Sequence, residues 1–160
     1  MGEACGGPSS LLSFAAVTLV LSSAGVAYAE AYEGTRGANR YVGTPNSDRV
    51  ELYAGDDTAS GRPGADKLFG GPDDDRLNGE DGRDTLLGQA GNDVLVGGPG
   101  EDQLFGASGN DTIYTGTPEE GDEESDEVAC GDGNDDTVYL SGRDHAGHNI
   151  DSSCESVVSY

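Results

Sequence analysis

Residues 61–114 decide the fold. Written in nines they read GRPGADKLF (61–69), GGPDDDRLN (70–78), GEDGRDTLL (79–87), GQAGNDVLV (88–96), GGPGEDQLF (97–105) and GASGNDTIY (106–114). Position 1 is Gly throughout, and position 4 is Gly except at Asp73. Position 6 is always Asp: Asp66, Asp75, Asp84, Asp93, Asp102 and Asp111. Position 8 is always aliphatic: Leu68, Leu77, Leu86, Leu95, Leu104 and Ile113. A disordered Gly/Asp-rich chain would scatter its aliphatic residues, whereas here they recur only where a short strand needs one.

The frame extends in both directions. Upstream, units 34–42, 43–51 and 52–60 keep Asp48 and Asp57 at position 6, with Asn39 in the first unit, and Val50 at position 8, where Tyr41 and Ala59 fit more loosely. Downstream, Thr115 to Glu120 (TGTPEE) breaks the frame. It resumes at 121–129 with Asp126 and Val128, and again after Cys130 at 131–139 with Asp136 and Val138. No clear unit is visible in 140–160.

Each unit has a simple physical reading. Its first six residues are rich in Gly and can take the positive φ angles of a tight turn. Its last three make a short strand with position 8 facing inward and positions 7 and 9 outward. Two units make one coil of 18 residues, and coils stack as parallel strands about 4.8 Å apart. The nine unbroken units then form a stack roughly 20 Å tall around a thin aliphatic core. The expected fold is all-β, a right-handed parallel β-roll or solenoid.

Stacking places each turn over the one two units on. Asp48, Asp66, Asp84 and Asp102 form one column; Asp57, Asp75, Asp93 and Asp111 form the other. Carboxylates about 5 Å apart repel unless a cation separates them. Carboxylate oxygens and glycine-exposed carbonyls are hard ligands at high coordination number, which suits Ca²⁺ better than the smaller, strictly octahedral Mg²⁺. The clearest pairs are 66/84, 84/102, 75/93 and 93/111, with 57/75 and 48/66 extending the columns.

The pattern G-G-x-G-x-D-x-U-x, with U a large aliphatic residue, resembles the RTX or haemolysin-type calcium-binding repeat. The nearest stretches are GQAGNDVLV (88–96) and GGPGEDQLF (97–105). The resemblance covers about residues 34–139. It implies a parallel β-roll with several Ca²⁺ ions held between turns. Gly61, Gly64, Gly82, Gly91, Gly100 and Gly109 would supply turn carbonyls beside the position-6 Asp residues. Many members of that family carry a toxin, protease or lipase domain and an uncleaved C-terminal export signal. This chain looks more like the small stand-alone secreted members of high-GC bacteria, and its ending DSSCESV (151–157) resembles theirs.

Composition agrees. The 160 residues hold 31 Asp plus Glu against 8 Lys plus Arg, a formal net charge of -23. That charge argues against nucleic acid and against anionic membrane surfaces as partners. Low apolar content with high net charge leaves a chain disordered unless something supplies the missing stability, and bound cations do so.

Leu11 to Leu21 (LLSFAAVTLVL) is too short to span a bilayer and fits the apolar region of a secretory signal peptide; Ala27-Tyr28-Ala29 places a cleavage before Glu30. The segment before it is not basic, since no Lys or Arg precedes Arg36. Removing 1–29 takes away Glu3 and Cys5 and leaves Cys130 and Cys154, which an oxidising compartment would join in a disulfide. The domains expected are a signal peptide (1–29), an N-terminal cap with a degenerate first repeat (30–42), the roll (43–114), an acidic insertion with the last repeats (115–139) and a C-terminal cap (140–160).

The acidic run Glu119 to Glu127 reads as a solvated loop. His145 and His148 read as loop residues, because no third ligand and no nucleophile accompany them. The sequon Asn110-Asp-Thr112 falls inside a turn and reads as coincidence. The expected function is a secreted, non-enzymatic calcium-binding roll that folds in extracellular Ca²⁺. A calcium-rigidified adhesin or matrix component is the alternative. It calls for a repeated outward ladder, and position 7 (Lys67, Arg76, Thr85, Val94, Gln103, Thr112) supplies none. A catalytic domain does not fit in the length left over.

Overall fold

The structure is a computed structural model that describes residues 31–116, 125–141 and 149–159. The expected leader with Cys5, the stretch from Glu119 to Glu124, and both histidines lie outside the described residues. Among the described residues all regular structure is β-strand. The odd-numbered strands are β1 (Ala31–Glu33), β3 (Arg49–Glu51), β5 (Lys67–Pro72), β7 (Thr85–Ala90), β9 (Gln103–Ser108), β11 (Glu127–Asp132) and β13 (Asn149–Ile150). The even-numbered strands are β2 (Arg40–Val42), β4 (Thr58–Ser60), β6 (Arg76–Asn78), β8 (Val94–Val96), β10 (Thr112–Tyr114), β12 (Thr137–Leu140) and β14 (Ser156–Ser159).

Odd strands make one seven-stranded sheet and even strands the other, each in chain order, and every pairing is parallel. The chain therefore alternates between two facing sheets and advances one rung per two units. Register follows the nonapeptide: Leu68 pairs with Leu86, Leu86 with Leu104, and Leu77 with Leu95. The frame break does not interrupt this. Leu104 pairs with Val128 and Ile113 with Val138, so the rungs stay aligned, and Cys130 lies buried within β11 between residues that pair with Phe105 and Ala107.

Strand formation follows from the alternation. Positions 6 and 8 share the inner face and are buried, while 7 and 9 face out. Val50, Leu68, Leu86, Leu104 and Val128 line one inner wall; Ala59, Leu77, Leu95, Ile113 and Val138 line the other. Tyr32 and Tyr41 pack ring to ring at 4.8 Å in the first coil. Leu52, standing where other units have Gly, is fully buried as well.

The segment without a visible unit adds one more rung. Asn149 and Ile150 pair with Glu127 and Val128, and Val157 pairs with Val138. A disulfide between Cys130 and Cys154 ties this coil to the one before it.

Candidate metal centres

The turn geometry begins with position 6. Because it shares the inner face with position 8, its carboxylate is carried under the turn and out of water: Asp48, Asp57, Asp66, Asp75, Asp84, Asp93, Asp102 and Asp111 are all buried. Both columns expected from the sequence are formed. In one, the main-chain N–H of Asp48 donates to Oδ1 of Asp66 (2.7 Å), that of Asp66 to Asp84 (2.7 Å) and that of Asp84 to Asp102 (2.8 Å). In the other, Asp57, Asp75 and Asp93 donate in turn to Asp75, Asp93 and Asp111, each across 2.8 Å. The columns run on to Asp126 and Asp136.

The second carboxylate oxygen has a different fate. Oδ2 of Asp57, Asp66, Asp75, Asp84, Asp93, Asp111 and Asp136 is buried with no hydrogen-bond partner. A buried, unpartnered carboxylate oxygen costs several kcal/mol. In Asp66, Asp75, Asp84, Asp93 and Asp111 it is aimed at the position-1 glycine of its own unit. A Cβ on Gly61 would lie 2.2 Å from Asp66 Oδ2 and 2.8 Å from the carbonyl oxygen of Gly79 in the next coil. Gly79 repeats this with Asp84 (2.2 Å) and Gly97 (2.7 Å), and Gly106 with Asp111 (2.2 Å) and Cys130 (2.7 Å). The carbonyl of Gly61 takes the same place over Gly43, where a Cβ would lie 2.6 Å from Asp48 Oδ2. An anionic oxygen and a carbonyl oxygen of the next coil thus share a space that only glycine leaves open.

The position-4 glycines form a second column. A Cβ on Gly82 would lie 1.5 Å from the carbonyl oxygen of Gly64, and one on Gly100 would lie 1.6 Å from that of Gly82. Gly91 and Gly109 sit likewise over Asp73 and Gly91. Gly64 also borders Asp66, whose Oδ1 lies 2.8 Å from its would-be Cβ.

Electrostatics follow from burial. Desolvation pushes the carboxyls of Asp75 and Asp84 up to about 7, and those of Asp66, Asp93 and Asp111 up to about 6. The donated main-chain N–H opposes the shift, and neighbouring carboxylates add to it. Asp57 and Asp136 are raised in the same way. A divalent cation at Oδ2 removes this penalty by stabilising the charged form. Hard oxygens in a dry, anionic pocket fit Ca²⁺. Among the described residues no three His, Cys, Asp or Glu side chains come close enough to hold a metal by themselves, so main-chain carbonyls must complete any ligand set.

Of the glycines named from the sequence, only Gly61 belongs to the position-1 set that faces Oδ2. Gly43, Gly70, Gly79, Gly88, Gly97 and Gly106 make up the rest of that set, and their nine-residue spacing is visible in the sequence. Asn39 heads one column, donating its N–H to Asp57 Oδ1 (2.5 Å), and Glu155 closes it, accepting the N–H of Asp136 on Oε2 (2.9 Å). One position earlier, side-chain oxygens of Asp74, Asn92 and Asn110 accept main-chain N–H groups of Asn92, Asn110 and Asn134 from the following coil. Asn110 of the sequon is therefore part of a structural ladder.

Stacked Gly/Asp turns closing short parallel strands define a β-roll of repeats built to hold cations. The model of the RTX calcium-binding nonapeptide repeat matches the chain in four copies, at residues 33–68, 52–86, 60–95 and 87–117. These span more than half of the chain, which belongs to the RTX calcium-binding nonapeptide repeat family. No curated protein and no solved structure matches it.

Proposed function

We propose that this chain is a secreted, non-enzymatic calcium-binding β-roll that folds when it meets extracellular Ca²⁺. The observation that carries the reading is the row of buried Asp Oδ2 atoms without partners, of which those of Asp66, Asp75, Asp84 and Asp111 share a glycine-lined space with a carbonyl of the next coil. We assign the ions to Asp48, Asp57, Asp66, Asp75, Asp84, Asp93, Asp102 and Asp111, with carbonyls of Gly61, Gly64, Gly82, Gly91, Gly100 and Gly109 and of the other position-1 glycines as further ligands. Residues 1–29 act as the export signal.

The magnitudes support coupled folding. One buried aliphatic side chain per nine residues contributes about 1.5–3 kcal/mol, while ordering nine backbone units costs several times that. A site with Kd near 0.1 mM in about 1 mM free Ca²⁺ adds roughly 1.4 kcal/mol. Five or six such sites add about 7–9 kcal/mol, comparable to the stability of a whole domain. Where calcium is scarce, the chain stays open and exportable.

The test is far-UV circular dichroism of the disulfide-intact chain titrated with Ca²⁺, with Mg²⁺ as control. A coil-to-β transition with Ca²⁺ alone, reversed by a chelator, is expected. A full β spectrum without calcium would refute folding on binding.

One observation favours the adhesin alternative. Outward position 9 carries Phe69, Leu87 and Phe105 in register on adjacent strands, a ladder that position 7 lacks. Beside it lies a hollow of about 380 Å³ lined by Tyr53, Phe69, Pro72 and Leu87. Retention of the calcium-loaded chain on insoluble cell-wall polysaccharide, lost in a Phe69→Ser/Phe105→Ser variant, would support this reading.

A further inference from the structure

The even-numbered sheet ends in β2 at one edge and β14 at the other, and these two edges complement each other. Val42 on β2 and Val157 and Val158 on β14 are 44%, 51% and 41% exposed, and they are three of the four large apolar side chains exposed among the described residues. Their placement is not arbitrary. Val157 is in register with the core residue Val138, so it occupies an inner rung that no other described strand covers. Val158 follows it as Val42 follows Tyr41, at outward position 9.

The two ends also differ in charge. The first coil carries Arg36 and Arg40 against Glu33, whereas the last described coil carries Asp151 and Glu155 and no basic residue. Every Lys and Arg except Arg143 lies at or before Arg83. Edge strands are commonly blunted by charge or proline, and β14 (Ser-Val-Val-Ser) has neither.

We infer that β14 is a docking edge for a second copy of this chain, which adds its β2 as the next parallel strand. The join continues the register of the roll. Tyr41 of the incoming copy then follows Val157 on the inner face, Val42 follows Val158 on the outer face, and Arg40 follows Ser156 near Glu155. Tail-to-tail docking would instead oppose Asp151 and Glu155 to their own copies, which like charge disfavours. A head-to-tail contact does not close on itself, so it propagates as a linear array. The end of a two-sheet roll is a small area, which places the contact in the weak, concentration-dependent class.

The test uses the full chain in saturating Ca²⁺, with circular dichroism run alongside. Loss of the β spectrum would report failure of the calcium reading and is thereby separated from this inference. Sedimentation equilibrium should show the weight-average mass at least doubling between about 10 μM and about 1 mM. Val42→Asp blocks the head and Val157→Asp blocks the tail, both at exposed positions. Each variant alone should remain a monomer, and their equimolar mixture should stop at the dimer. A folded but monomeric wild-type chain over that range would overturn the proposal. So would Val42→Asp copies that still self-associate, because that behaviour belongs to a tail-to-tail contact.

Discussion

The main-chain N–H of Asp66 donates to Oδ1 of Asp84 across 2.7 Å, while Oδ2 of Asp84 is buried with no hydrogen-bond partner. One carboxylate therefore does two jobs. Oδ1 ties adjacent coils together, and Oδ2 is the atom to which the proposed function assigns the ion. The same pair of environments recurs at Asp66, Asp75, Asp93 and Asp111, so on the proposed function the roll's stability follows what neutralises Oδ2.

Stability should depend on pH with opposite slopes in the two states. In the metal-free roll the carboxyls of Asp75 and Asp84 are raised from 3.8 to about 7 by burial. The folded state then binds protons more tightly than the unfolded state. The resulting stabilisation is fully present below pH 3.8 and is lost as pH rises toward about 7. With Ca²⁺ bound, protons compete with the ion, and the slope reverses. The residual β signal of the metal-free chain should be greatest at low pH and fall between pH 4.5 and 8, whereas urea midpoints in saturating Ca²⁺ should rise over the same range. Parallel slopes would contradict the assignment of these carboxylates to the ions.

Asp84→Asn separates structure from charge. The amide oxygen still accepts the N–H of Asp66, but the buried negative charge is gone. Without metal its β content should equal the parent's or exceed it, because an unpaired buried charge has been removed. In about 1 mM Ca²⁺ it should lose roughly 1–2 kcal/mol, the worth of one site. Circular dichroism without metal and thermal unfolding in Ca²⁺ give the sign. No loss of stability in Ca²⁺ would mean that the carboxylate acts only as a spacer, a part the amide oxygen can still play.

Two substitutions in the turns should move stability in opposite directions. Gly82 has φ of 147° and no room for a Cβ, which would strike the carbonyl of Gly64, so Gly82→Ala should cost more than about 3 kcal/mol. Gln89 holds φ of 87°, a conformation costly to a residue with a side chain. Gln89→Gly should therefore stabilise the calcium-loaded roll by about 1 kcal/mol. Thermal midpoints of the two variants check both.

Those glycines also show how far the sequence could be read. Asp at position 6 and the aliphatic residue at position 8 are separated by two, so both fall on the inner face. Their nine-residue recurrence was enough to give the coil, the two sheets and both Asp columns. The last coil escaped because its turn does not use the code. Glu155, one methylene longer and 19 residues after Asp136, takes the place of a position-6 Asp, and a disulfide replaces the glycine-led turn. The position-9 ladder is hidden in the sequence for another reason. Phe69, Leu87 and Phe105 alternate with Asn78 and Val96 along the chain, and they form a continuous row only after odd and even units separate onto different sheets.

The disulfide gives the last prediction. Val157 leaves the terminal rung half uncovered, so the last coil gains less from burial than the coils below it. Cys130 and Cys154 are 24 residues apart, and closing a loop of that size contributes about 3 kcal/mol in the chain-entropy model. Cys130 is buried in the core, so its replacement should be the similarly small Ala or Val. A Cys130→Ala/Cys154→Ala variant should keep the calcium-dependent β spectrum contributed by β1 to β10. Amide exchange in β11, β12 and β14 should become faster by at least tenfold, because fraying now starts from a coil with no covalent tie. Protection lost evenly across all strands would show instead that the roll unfolds as one unit and that the disulfide stabilises the whole stack.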